Sequence, residues 1–246
     1  AFANGSRHDI NLNIPRLVEI INKVHPAGVT LDSCANSGMT PLFAAIRYGA
    51  ELDTVRYLLA AHADVNWKRR HDGCTPLHQA MRSRRWKMVP VLVEEFNADI
   101  SARTLGEQVT PFFELCQYAD ELSPAWKIAE IVRAAEAFCG SSRKGKGVGS
   151  VETARQNKSK AVKIVNEKNL DGLTCLMCAC RAGNLALVQF LVKNGAYLCD
   201  KKCMGVCEVS WHRPAVDTLH NSANGYCSGN SNGQKVHAFL HHVGCK

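Results

Sequence analysis

The chain has 246 residues, of which 46% are hydrophobic and 21% charged, with 12 Cys and a formal charge of +8 at pH 7. That balance excludes wholesale disorder and a fibrous repeat, and allows one large domain, a solenoid, or two smaller domains. No apolar run approaches the roughly 18 residues that a membrane span needs, so a soluble chain is expected.

The start, Ala1-Phe2-Ala3-Asn4-Gly5-Ser6, has neither an initiator Met nor the apolar core of a signal peptide, as expected of a processed chain or a fragment. Leu17 to Ile21 predicts a helix, and His25-Pro26-Ala27-Gly28 a turn that closes it. Residues 1–34 thus read as an N-terminal half unit. A repeat follows: Thr40-Pro41-Leu42 returns as Thr75-Pro76-Leu77-His78 and as Thr110-Pro111-Phe112-Phe113, with a period of 35. A fourth copy, Asp171-Gly172-Leu173-Thr174-Cys175-Leu176, lies 64 residues after the third, which implies an insertion. Each Thr predicts a helix cap, and each Pro fits the first helical turn, where no amide partner is needed. Gly38, Gly73 and Gly172 supply the turn before the cap, and Gly49 and Gly183 the bend nine residues after it.

Second amphipathic segments follow at Val55 to Leu59, Val89 to Val93 and Val188 to Val192, with Ile128 to Val132 in the third copy. Turns at Ala63-Asp64-Val65-Asn66, Ala98-Asp99-Ile100 and Gly195-Ala196 then end the second helices. Each unit is therefore a helix pair. At these residues the sequence resembles the ankyrin repeat family, whose pattern runs G-x-T-P-L-H-x-A, then V-x-x-L-L and G-A-D. Only the second copy keeps the whole Thr75 to Ala80 string, and the third keeps little beyond Thr110-Pro111 and Ile128 to Val132. The resemblance implies an all-α, ankyrin-type solenoid of about five helix-turn-helix repeats, with β-hairpin-like fingers and two insertions. Repeats one to three would occupy residues 35–138, a basic insertion 139–164 and repeat four 165–198. Residues 199–246 would hold a Cys/His-rich insertion and a degenerate last repeat, with Val236 to Leu240 as its second helix and Leu219-His220 in the Leu-His slots.

Charge is concentrated rather than spread evenly. Residues 139–168 carry eight Lys or Arg, among them Arg143, Lys144, Lys146, Arg155, Lys158, Lys160 and Lys163, against Glu152 and Glu167. Residues 67–90 carry Lys68, Arg69, Arg70, Arg82, Arg84, Arg85 and Lys87 against Asp72 alone. Each cluster nets +6, which leaves the other residues at −4. The seventh position after each cap reads Arg47, Arg82, Gln117 and Arg181, a row that stacked helices would align. The resemblance implies a binding face made from the fingers and the exposed side of each first helix. Carried over by position, it includes Arg47, Tyr48, Arg70, His71, Gln79, Arg82, Ser83 and Gln117. Arg69, Arg85 and Arg181 extend it in charge, while Trp67 and Trp86 read either as interface anchors or as packing at the edge of the core.

Cys199, Cys203, Cys207 and His212 crowd the second insertion, with His220 and Cys227 beyond. Thiolates and imidazole suit zinc, but paired C-x-x-C knuckles are absent there, so a structural zinc, a disulfide and free thiols all stay open. Cys175 and Cys178 form a C-x-x-C inside a predicted helix and read as packing. His237, His241 and Cys245 fall at i, i+4 and i+8 on the last helix, a face that reads as the solvated side of a capping helix, with metal binding as the alternative. Gly140 to Lys146 imitates a phosphate-binding loop, yet Gly147 stands where Ser or Thr must meet the metal and no strand precedes it. No G-x-S-x-G elbow, H-E-x-x-H or paired acid is found, so no enzyme and no cofactor are expected.

The function expected is that of a non-enzymatic adaptor or scaffold subunit that binds a protein with an acidic surface. The alternative is a ribonucleoprotein subunit that contacts RNA through residues 139–168. The placement of several Cys in helix slots predicts reduced thiols and a home inside the cell, in the cytoplasm first, with the nucleus and organelles open. Self-association is not expected.

Overall fold

The structure is a computed structural model, and it describes residues 31–32, 38–121, 123–139, 164–198 and 231–243. It divides into two compact units, Ala1–Gly106 and Glu107–Lys246. Among the described residues all regular structure is helical, apart from one antiparallel bridge between Lys168 and Thr174. The arrangement is an all-α, ankyrin-type solenoid.

In the first unit, α1 (Pro41–Tyr48) pairs with α2 (Leu52–Ala60), and α3 (Pro76–Arg82) packs on α1. The sequence fixes the starts of the first helices at their Thr residues. The Oγ1 of Thr40 accepts from the Phe43 amide at 3.2 Å, and that of Thr75 from the His78 amide at 3.4 Å. His78 completes a capping box, since its Nδ1 lies 3.3 Å from the Thr75 amide and 2.8 Å from the Thr75 hydroxyl. The second helix of repeat two departs from the regular helix expected at Val89 to Val93. It is a short α turn, α4 (Met88–Pro90), that opens into a π-helical turn at Val91–Glu95, where the Phe96 amide reaches five residues back to the Val91 carbonyl. Pro90 is accommodated because it sits in the first turn, whose amides lack helical partners in any case.

The second unit holds α5 (Pro111–Tyr118), α6 (Ala125–Cys139), α7 (Cys175–Ala182), α8 (Leu185–Lys193) and α9 (Ser231–His242). The 64-residue spacing between the third and fourth caps does not separate their repeats: α7 packs directly on α5, and α8 on both α6 and α7. The segment returning to α7 takes part in this join, as the hydroxyl of the Thr110 cap donates to the Glu167 carboxylate. In the last repeat α9 packs on α7 and α8, its stripe of Gly233, Val236 and Leu240 being buried. The described part of that repeat is the single helix α9. Of residues 1–34 only Leu31 and Asp32 are described, and the caps, insertions and tails at 140–163 and 199–230 lie outside the described residues.

Each unit has its own core. Leu42, Phe43, Ile46, Leu58, Leu77, Met81 and Leu92 are fully buried in the first, and Phe112, Phe113, Leu115 and Leu176 in the second. The turns between repeats are joined by a side-chain ladder. The Asp64 amide donates to Asp32 Oδ1 at 2.8 Å, the Asp99 amide to Asn66 Oδ1 at 2.7 Å, and the Tyr197 amide to Asn166 Oδ1 at 2.6 Å. Short Asx side chains thus satisfy amides of the following repeat without a continuous sheet.

Backbone conformation repeats even where the residue type does not. Gly49 and Gly183 end α1 and α7 at φ 75° and 69°, in the left-handed region, whereas Arg84 occupies the same slot in repeat two at φ 55°. A side chain there costs roughly 1 kcal/mol that Gly avoids. Arg84→Gly is therefore expected to stabilise the first unit by about 1 kcal/mol, read as a higher midpoint in denaturant. A lower midpoint would mean that the contacts of the Arg84 side chain outweigh the strain of its backbone.

Candidate functional site

The basic cluster of residues 67–90 is built around its one carboxylate. Asp72 lies on the finger before α3 and is closed on by two guanidinium groups and an imidazole. The Arg69 guanidinium donates to it through Nε at 2.8 Å and again through Nη2, Arg82 Nη1 stands at 3.9 Å, and His71 Nε2 at 4.0 Å. The Cys74 amide donates to the same carboxylate at 3.1 Å. Partial burial alone would raise the Asp72 carboxyl, but the bonds from Arg69 and Cys74 and the guanidinium charge outweigh it and hold the group well below the usual carboxylate range. The finger is consequently locked with Asp72 ionised.

Arg69 is the inner member of the cluster. It is buried, its guanidinium lies 4.8 Å from the centre of the Phe43 ring, and Trp67 meets that ring edge-on at 6.4 Å. Arg69 and Trp67 therefore belong to the packing that carries the finger. The Gly73 backbone is covered just as closely: a Cβ there would stand 2.9 Å from both the backbone nitrogen and Cγ of Leu105.

The outward residues follow from this framework. Lys68, Arg70 and His71 are exposed on the finger, while Arg82 and Ser83 are half-buried at the end of α3. Gln79 is buried and donates to the Ser83 hydroxyl. Arg85 lies across the end of α1, with Nη2 3.4 Å from the Arg47 carbonyl, a position favoured by the negative end of the helix. Its guanidinium sits so close to Gly49 that a Cβ there would collide with Cζ. Arg47 is exposed, with Nη1 3.7 Å from the Met39 sulfur, and Tyr48 and Trp86 are half-buried. The first unit thus brings together Arg47, Arg70, His71, Arg82 and Arg85 around the finger and first-helix ends.

The other members of the expected row lie in the second unit. Gln117 is half-buried, and its side-chain oxygen is buried without a hydrogen-bond partner among the described residues, whereas Arg181 is exposed in the last turn of α7. Arg143, Lys144, Lys146, Arg155, Lys158, Lys160 and Lys163 fall outside the described residues, as do Cys199, Cys203, Cys207 and His212.

Reading by motif missed two polar devices. Glu167 replaces the capping-box His in repeat three by approaching the Thr110 hydroxyl from beyond the insertion. Asn184 caps α8 by accepting from the Leu187 amide at 2.9 Å, and its Nδ2 donates to the Asp120 carbonyl at 2.7 Å and the Ser123 carbonyl at 3.1 Å. A cap residue after Gly183 was the available signal for the first of these roles; nothing local in the sequence marked the second.

The thiols described here are packing groups. Cys74, Cys116, Cys175, Cys178 and Cys180 are buried and form no disulfide among the described residues. Burial pushes the Cys178 thiol up to about 12, with Cys175 nearby adding to it. Burial and a bond with Cys116 raise Cys175 as well. Such thiols hold almost no thiolate at neutral pH and are poor nucleophiles.

Comparison with known proteins agrees with this geometry. A family model described as ankyrin repeats in three copies matches residues 11–104, and a single ankyrin repeat model matches residues 171–202. The chain is 25% identical over 210 residues to the ankyrin repeat and KH domain-containing protein mask-1 of Caenorhabditis elegans, an alignment covering 72% of this chain but 8% of that protein. In structure it is similar to one chain of a complex between the Bd0816 predatory endopeptidase from Bdellovibrio bacteriovorus and the immunity protein Bd3460. That match has a TM-score of 0.58 at 22% identity and covers 97% of this chain and 99% of the other, a likeness of fold. Thr caps, paired helices and Asx-linked turns recur at the offsets where the two models match, and the chain belongs to the ankyrin repeat family.

Proposed function

We propose that this chain is a binding module without chemistry of its own, an adaptor or scaffold subunit that holds an acidic segment of a protein partner against the finger and first-helix ends of its first unit. Ankyrin repeats are protein-interaction modules, and the observation that carries the finer reading is the state of Asp72. It is the one acid among residues 67–90, and its oxygens are committed to Arg69, with Arg82 and His71 at the edge of its reach. The positive charge of Lys68, Arg70 and Arg47 is therefore not cancelled within the cluster and is directed outward. Rigid placement favours binding here, because a finger already locked by Arg69 and Asp72 has little freedom to lose when a partner docks. Burial makes the Cys175 and Cys178 thiols weak acids and poor nucleophiles, which fits a module without chemistry of its own.

Arg70 gives a clean test, since it is exposed and stands apart from the Asp72 pairing. Arg70→Glu is expected to weaken binding of a Glu/Asp-rich peptide about tenfold, equal to about 1.4 kcal/mol, and to flatten the dependence of affinity on salt, with the unfolding midpoint unchanged. Titration calorimetry at two salt concentrations reads both quantities. Equal affinity for variant and wild type would remove the first unit from the site. Binding of a short RNA by the same chain, unaffected by Arg70→Glu, would instead favour the basic segment at residues 139–168.

A further inference from the structure

Helix α9 carries a feature that the binding surface does not use. His237 and His241 lie four residues apart in the C-terminal half of Ser231–His242, the second of them in the last turn, and both are exposed. The helical repeat of 100° per residue turns the second imidazole by about 40° relative to the first, and places their Cβ atoms about 5–6 Å apart. The core stripe of Gly233, Val236 and Leu240 occupies the neighbouring sector, so α9 is held by packing while the two rings stand beside it in solvent. Lys235, the one Lys or Arg of this helix, is turned away from that sector and bonds through Nζ to Asn232 Oδ1 at 3.2 Å. No cation therefore intervenes between the rings.

We infer that His237 and His241 form a two-imidazole chelate for a borderline divalent transition cation, zinc, nickel or copper by class. Imidazole is the side chain these ions prefer at neutral pH, and two rings at this spacing on one helix face reach a single ion at about 2.0–2.1 Å. The remaining coordination positions belong to water or to a donor from a bound partner. The site differs from a three-ligand cage: no group of three or more candidate ligands occurs among the described residues. It binds through the chelate effect of a preformed helix, so the second ring meets the ion at high effective concentration.

Ni2+ added to the full chain in a nitrogen-15 NMR titration tests this, because the ion broadens nearby amide signals and so reports its own position. Broadening is expected to centre on the amides around His237 and His241, and to require about tenfold more Ni2+ after His237→Gln or His241→Gln. Both positions are exposed, so either variant should fold, and an unchanged helical dichroism spectrum verifies it. Broadening centred elsewhere in the chain, or equal in wild type and both single variants, would overturn the assignment. A titration in which one variant matches wild type and the other loses binding would overturn it too, since it would leave a single ligand.

Discussion

Asn184→Asp is expected to destabilise the second unit by about 3–5 kcal/mol, although Asp is as good a helix cap as Asn. The two roles of the side chain separate here. As a cap, the Oδ1 that accepts from the Leu187 amide could be replaced by a carboxylate oxygen, which the helix N-terminus would favour. As a tie, Nδ2 donates to the carbonyls of Asp120 and Ser123 and lies 3.2 Å from the Ser123 hydroxyl, so a carboxylate would set a buried negative charge against two carbonyl oxygens. Urea unfolding of the full chain reads the difference. If the midpoint stayed put or rose, the tie between the α5–α6 turn and α8 would contribute nothing and capping alone would explain the residue.

Leu77→Ala should cost about 2–5 kcal/mol. Leu77 is fully buried on α3, the helix that packs on α1, as are Phe43 and Ile46 on α1 and Met81 on α3. The loss combines the transfer of its branched end out of water with the cavity left behind, and close-packed repeats collapse poorly into such a gap. The effect should stay in the first unit, lowering its midpoint while Asn184→Asp lowers that of the second. An unchanged midpoint would place Leu77 outside the inter-repeat core and undo the register assigned to repeat two.

The sequence was most legible where one residue type does one local job. Thr40, Thr75, Thr110 and Thr174 each cap a helix because a hydroxyl at that offset has its own amide three residues on, a relation confined to four residues. The left-handed turns at Gly49 and Gly183 are of the same kind. Arg84, and Gln108 at φ 56° in the slot of Gly73, hold the fold's backbone conformation against their own preference, which only the packing of neighbouring repeats can impose. Arg69 illustrates the limit for the site. Its charge reads outward in a run with Lys68 and Arg70, yet the finger turns it onto Phe43 and Asp72, contacts set by three-dimensional stacking. Glu167 and Asn184 act across 57 and 61–64 residues, beyond the reach of any local pattern.

In the proposed function the outward charge of the first unit selects an acidic protein. The most direct measurement is co-purification from a native lysate, with the wild-type chain and the Lys68→Glu, Arg70→Glu variant in parallel, each with and without nuclease. A protein held in stoichiometric amount by the wild type through nuclease treatment, and lost by the variant, is the predicted result. A partner that disappears with nuclease, or that the variant retains in full, would contradict the claim and take the site away from the first unit.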